Sequence, residues 1–219
     1  MENIELISIW KEQNAKIEKA LAINQLLLKE TINNKAKHSL MSLIRLKTAG
    51  IIAFVFYLLF LGYILAYAFA NYSSAWNYFI VSVSVIALVN LKGFSDYIRH
   101  LVWTNNINYN GSVIEIQRQL SRLQLSIINH AKIMTLQFPF FTTFYLSNSW
   151  FPQDVGAGYI ILQVLVTGAF VYFSYWLYKN TKPENLDKKW FRNLIAGSGG
   201  KSVMDAMTFY KEMEEFTKE

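Results

Sequence analysis

The chain has no cysteine, only three prolines and, between Thr48 and Leu91, not one Asp, Glu, Lys, Arg or His. The missing thiols exclude disulfide frameworks, thiolate metal sites and the cysteine-pair chemistry of four-helix membrane oxidoreductases. Charge is scarce throughout, at 16% of residues against roughly 25% in soluble domains. The scarcity is concentrated in windows, which is the pattern of a chain whose solvent is partly lipid.

The stretch Thr48–Ala70 is apolar on every side. At about 1.5 Å per residue it reaches ~34 Å, enough for a hydrocarbon core of ~30 Å. A soluble helix of this kind needs a large protein around it, and 219 residues do not supply one. Three further windows follow. Trp76–Leu91 comes after a five-residue uncharged link, so it is an antiparallel neighbour. Ile133–Trp150 holds Gln137, Thr142 and Thr143 around Pro139, which should kink a helix. Tyr159–Tyr178 is the last. The fold expected is all-α: an integral-membrane bundle of four transmembrane helices carrying a cytoplasmic helical assembly.

Basic residues set the orientation. Eight precede the first span, five lie in 92–132 and eight follow Tyr178, whereas the links 71–75 and 147–158 have none. The positive-inside rule puts both termini and 92–132 in the cytoplasm. The start MENIELISIWKEQN is acidic and amphipathic, unlike a cleavable signal. The net charge of +6 is thus assigned to orientation and to anionic headgroups near Lys35, Lys37, Arg45 and Lys47. No nucleic-acid partner is expected.

The expected division is 1–47, an amphipathic helix and basic juxtamembrane segment; 48–91, spans one and two; 92–132, a helical hairpin extending spans two and three; 133–178, spans three and four; and 179–219, C-terminal helices. In the first, Trp10, Ile17 and Asn24 are seven apart, as are Asn14, Leu21 and Leu28. That is a heptad-like seam with two polar positions. In the hairpin, a turn at 105–111 precedes Ser112, an N-cap with Glu115 completing a capping box. Val113, Ile116, Leu120, Leu123 and Ile127 follow at helical spacing. In the tail, Glu184–Ile195 reads as a helix in the headgroup region, Gly197–Gly200 as a flexible break, and Ser202 as the cap of a last helix bearing Val203, Met207 and Tyr210.

Chemistry is thin. GSGGKS at 197–202 lacks the first glycine of a phosphate loop, because Ile195 stands there. His38, His100 and His130 are not spaced for haem or zinc and read as interfacial polar residues. The spans hold no ionisable group of the kind that transport uses. No catalytic, cofactor or metal residue is expected, and no enzyme activity.

IWKEQN (Ile9–Asn14), LAINQLLLKE (Leu21–Glu30) and INYNGSVIEIQRQLSRLQL (Ile107–Leu125) together resemble a family of small, uncharacterised bacterial inner-membrane proteins. Its members have a WKEQN-type N-terminal helix and four spans, and are often encoded beside sigma factors. The resemblance implies a regulatory or anchoring role, with no catalytic residue to carry over. The function expected is a membrane-anchored protein-binding or regulatory module, anti-sigma-like in holding a cytoplasmic partner. Alternatives are a homo-oligomeric scaffold paired through Val113–Ile127, and a small channel lined by Gln137, Thr142 and Thr143. Contact residues for a partner or a second copy are Trp10, Ile17, Leu21, Leu28, Val113, Ile116, Leu120 and Leu123. Membrane lipid is the other partner.

Overall fold

The computed structural model describes the backbone of residues 2–218 and the side chains of residues 10–212. It is helical throughout: α1 (Glu2–Ala70), α2 (Asn77–Asn105), α3 (Val113–Met134), a 3₁₀ segment (Thr135–Thr142), α4 (Ala157–Asn180), α5 (Lys189–Ala196) and α6 (Gly200–Lys218). Three helices are long and apolar enough to cross a membrane: those containing Trp10–Ala70, Ser74–Asn105 and Ala157–Asn180. Their outward faces carry large apolar side chains, such as Phe56 at 70% exposure and Tyr63 at 72%, as a lipid-facing wall requires.

The N-terminal amphipathic helix is not a separate element. It runs without a break into the first span, because nothing between Asn33 and Gly50 is a proline or a turn cluster. On the charged side of the spans, α1, α3 and α6 form one core. Ile32, Ala36, Leu40 and Leu43 of α1 meet Ile116, Leu120, Leu123 and Ile127 of α3, and Val203, Ala206 and Tyr210 of α6. Ser112 caps α3 as expected, accepting from the Glu115 N–H at 3.2 Å. Tyr210, fully buried, donates to Asn33 Oδ1 at 2.6 Å.

The tail differs from expectation in two places. Phe191 and Ile195 of α5 are buried against Ile128 and Ala131 of α3, so the helix spends its apolar face on protein rather than on headgroups. The glycine-rich segment is a tight turn, not a flexible break. Gly199 adopts φ +85°, and a Cβ there would lie 2.1 Å from Leu43 Cδ1. Only glycine combines that conformation with that closeness.

The largest departure lies at 133–150. Instead of a kinked α-helix, the chain passes from α3 into the 3₁₀ segment and then turns. It stays alongside α2 and the 3₁₀ turn Ser74–Trp76 that precedes it. His130 faces Asp96, Gln137 pairs with Asn90, Thr143 with Ser82, and Ser147 with the Ala75 carbonyl. From Ala75 to Asp96 an α-helix climbs ~32 Å. The facing stretch matches that with four residues fewer, at ~1.9 Å per residue, close to the rise of a 3₁₀-helix.

Candidate functional site

A strand of polar side chains holds the 3₁₀ segment between α2 and α4. Pro139 has no N–H, which in the 3₁₀ register deprives the Leu136 carbonyl of its donor. Ser174 of α4 donates from its Oγ to the neighbouring Thr135 O at 2.8 Å. Gln163 Nε2 donates to Thr142 O at 2.6 Å, and Tyr145 donates to Gln163 Oε1 at 2.8 Å. Away from water every backbone polar group needs such a partner. The residues expected to line a channel, Gln137, Thr142 and Thr143, are therefore engaged within the chain: Gln137 and Thr142 are buried and Thr143 is half-buried.

Where α2 and α3 leave the apolar zone, a charged cluster forms. Asp96, almost fully buried, receives Lys92 from one turn below. Arg99 stands 4.0 Å away, and His130 Nδ1 lies 3.5 Å from Asp96 Oδ2. The His100 and His130 rings meet edge to face at 6.0 Å, and His100 Nε2 is 2.9 Å from Ser126 Oγ. Burial pushes the His130 imidazole below its ordinary value. Asp96 works against that, while Lys47 and Lys92 reinforce it.

Lys47 is fully buried, with no hydrogen-bond acceptor for Nζ among the described residues. Its Nζ sits 3.6 Å over the centre of the Tyr97 ring, a cation–π contact in the protonated form, although burial brings its pKa down to about 7. Gly50, one turn along α1, makes room for that ring: a Cβ there would lie 2.3 Å from Tyr97 Cε1. His100 and His130, read from sequence as interfacial, thus belong to a buried cluster, whereas His38 is exposed on α1. The signal was the coincidence of Lys92, Asp96 and Arg99 on one helix. Their partner His130 lies 34 residues further on, beyond any local pattern. Among the described residues no group of three His, Asp or Glu could hold a metal.

The expected contact residues separate into two groups. Ile116, Leu120 and Leu123 are at most 1% exposed, and Val113 packs partly buried beside them. The α3 seam is closed by α1 and α6 of the same chain. Trp10, Ile17 and Leu21 are 67%, 63% and 57% exposed, on a stretch of α1 whose residues 10–27 are all exposed. Leu28, the last of the seam, packs on the core. The α1 arm therefore stands clear of the body, its apolar stripe running down into the buried face that begins at Ile32. No family model matches the chain, and no curated protein and no solved structure matches it.

Proposed function

We propose that the protein is a membrane-anchored docking module. Four passages fix it in the bilayer, and the α1 arm takes up an amphipathic helix of a cytoplasmic protein. The observation that carries this reading is the exposed stripe Trp10, Ile17 and Leu21 on an arm whose described residues 10–27 are all exposed. Covering each of these side chains contributes about 1.5–3 kcal/mol, before the cost of ordering the partner.

The fourth passage in this reading is the stretch from His130 to Ser147 that contains the 3₁₀ segment, supported by its match to α2 in depth. The distribution of basic residues supports termini on the cytoplasmic side, and the family resemblance supports a bacterial inner membrane. Holding a cytoplasmic regulator out of action, as anti-sigma proteins do, is the regulatory form of the activity.

Self-pairing is the second reading, and the seam itself speaks against it. Two anchored copies would be parallel, so Asn14 and Asn24 would each stack on their own copy within about three heptads, at a cost in stability. The flanking positions would bring Gln13 to Glu18 and Ala20 to Gln25, with no opposite charges to select a like chain. A partner of different sequence can meet the two asparagines with polar groups of its own.

The test is site-specific photo-crosslinking in intact membranes from Ile17 and Leu21, with Lys19 on the opposite face as control. A discrete adduct with a cytoplasmic protein from the seam positions alone, abolished by Trp10→Asp, is expected. An adduct of twice the chain mass would establish self-pairing instead. Equal labelling from both faces would overturn docking altogether.

A further inference from the structure

At the same level as the charged cluster, a cavity of about 300 Å³ opens between α2, α3 and α4. Lys92, Arg99 and Lys132 stand around it, with Asp96, Asn129 and Tyr178 completing the wall. Three cations face one carboxylate, and that carboxylate is the inner member, 3% exposed and already engaged by Lys92. Lys92 and Arg99 keep 43% and 51% of their side-chain surface open. Lys132 is held in place by the Tyr178 ring, 4.3 Å from its ammonium. The outer part of the cavity is therefore cationic, with side chains whose positions the protein has already fixed.

The wall below it has a different character. Leu88 lies one turn before Lys92 on the same face of α2, and is 67% exposed. Leu136 follows Lys132 at 41%, and Tyr175 and Val171 precede Tyr178 on one face of α4 at 59% and 51%. A charged recess thus sits directly above an apolar, outward-facing surface. A phospholipid has that same division, with a phosphate at one end and acyl chains below.

We propose that this recess is a binding site for the phosphate of an acidic phospholipid, with the headgroup between Arg99, Lys92 and Lys132 and the acyl chains along Leu88, Leu136 and Val171. Arg99 supplies the planar fork suited to phosphate oxygens, Lys92 and Lys132 supply point charges, and Asn129 offers an amide donor at the rim. Asp96 acts as a positioning residue, keeping Lys92 and Arg99 on the same side of α2. Basic pockets between membrane helices are where acidic headgroups are retained. The site does not depend on what the α1 arm binds.

The test is native mass spectrometry of the purified, delipidated full chain, titrated with phosphatidylglycerol, phosphatidylcholine or inorganic phosphate. The wild type should bind one phosphatidylglycerol in preference to phosphatidylcholine. Arg99→Gln/Lys132→Gln should weaken it roughly 10- to 30-fold, the scale for two basic groups at a membrane surface. Lys182→Gln/Lys189→Gln, which removes the same charge from exposed positions outside the cavity, should leave it within about twofold. Equal losses in both double variants would overturn the site in favour of diffuse attraction. Competition by millimolar inorganic phosphate, with no preference between the lipids, would overturn the lipid assignment. Both variants should melt as the wild type does, since all four side chains are at least partly exposed, and melting curves check that they fold.

Discussion

Asn90 donates its side-chain amide to the Gln137 carbonyl at 2.7 Å, and both residues are buried. This single bond joins α2 to the 3₁₀ segment at mid-depth, where neither side chain has water to turn to. Asn90 also donates to the Ile86 carbonyl of its own helix, so it holds its geometry independently of its partner.

Asn90→Leu and Gln137→Leu should each destabilise the fold by roughly 1–2 kcal/mol, the range for such bonds between membrane helices. The double variant should lose less than the two added together, because removing both partners leaves no orphan. Reversible unfolding in mixed micelles, run as a double-mutant cycle, measures the coupling. Strict additivity would show that the bond contributes nothing.

Gly50 and Gly62 lie on the same helix but in opposite circumstances. A Cβ at Gly50 would collide with the Tyr97 ring, whereas one at Gly62 meets nothing within 4 Å. Gly50→Ala should cost about 1–3 kcal/mol, as overpacking does, by driving the ring off Lys47. Gly62→Ala should be neutral or stabilising by about 0.5–1 kcal/mol, since alanine loses less backbone freedom in a helix. Melting temperatures of the two variants separate these outcomes, and equal effects would contradict the assigned packing.

His130 sets a pH dependence whose sign follows from its burial. Its folded pKa lies below the ordinary imidazole value, so above about pH 6.5 the ring is neutral in both states and contributes no slope. Below that, the unfolded chain takes up a proton that the folded chain resists, and stability falls as pH falls. Thermal unfolding at pH 7.5 and pH 5 should show a loss on acidification that His130→Gln reduces. A gain in stability at pH 5 would mean instead that the pair with Asp96 dominates.

The apolar windows were legible because a bilayer imposes a composition that no local detail can disguise. Thr48–Ala70 and Tyr159–Tyr178 fall within α1 and α4, and the Ser112–Glu115 pair marks the start of α3. The third window was legible as apolar but not as 3₁₀. Pro139 announces a lost donor, whereas the side chains that hold the segment, Ser174 and Gln163, belong to a later helix. The seams were legible as seams, but their occupants were not. The spacing of Ile116, Leu120 and Leu123 is the same whether the facing helix belongs to this chain or another, and only the return of α6 antiparallel to α1 decides it. The charged cluster was missed for a similar reason, since Lys47, Asp96 and His130 come from three helices.

The unbroken run of α1 from Glu2 to Ala70 makes a rod of ~104 Å, and in the docking reading proposed above its lower third lies in lipid. Such a rod is a lever whose fulcrum is the bilayer. A change of 10° in its tilt, of the kind that membrane thickness imposes on a span, swings Trp10 sideways by ~10 Å at a lever arm of ~57 Å. The reach of the arm is thereby tied to the mechanics of the membrane it is rooted in.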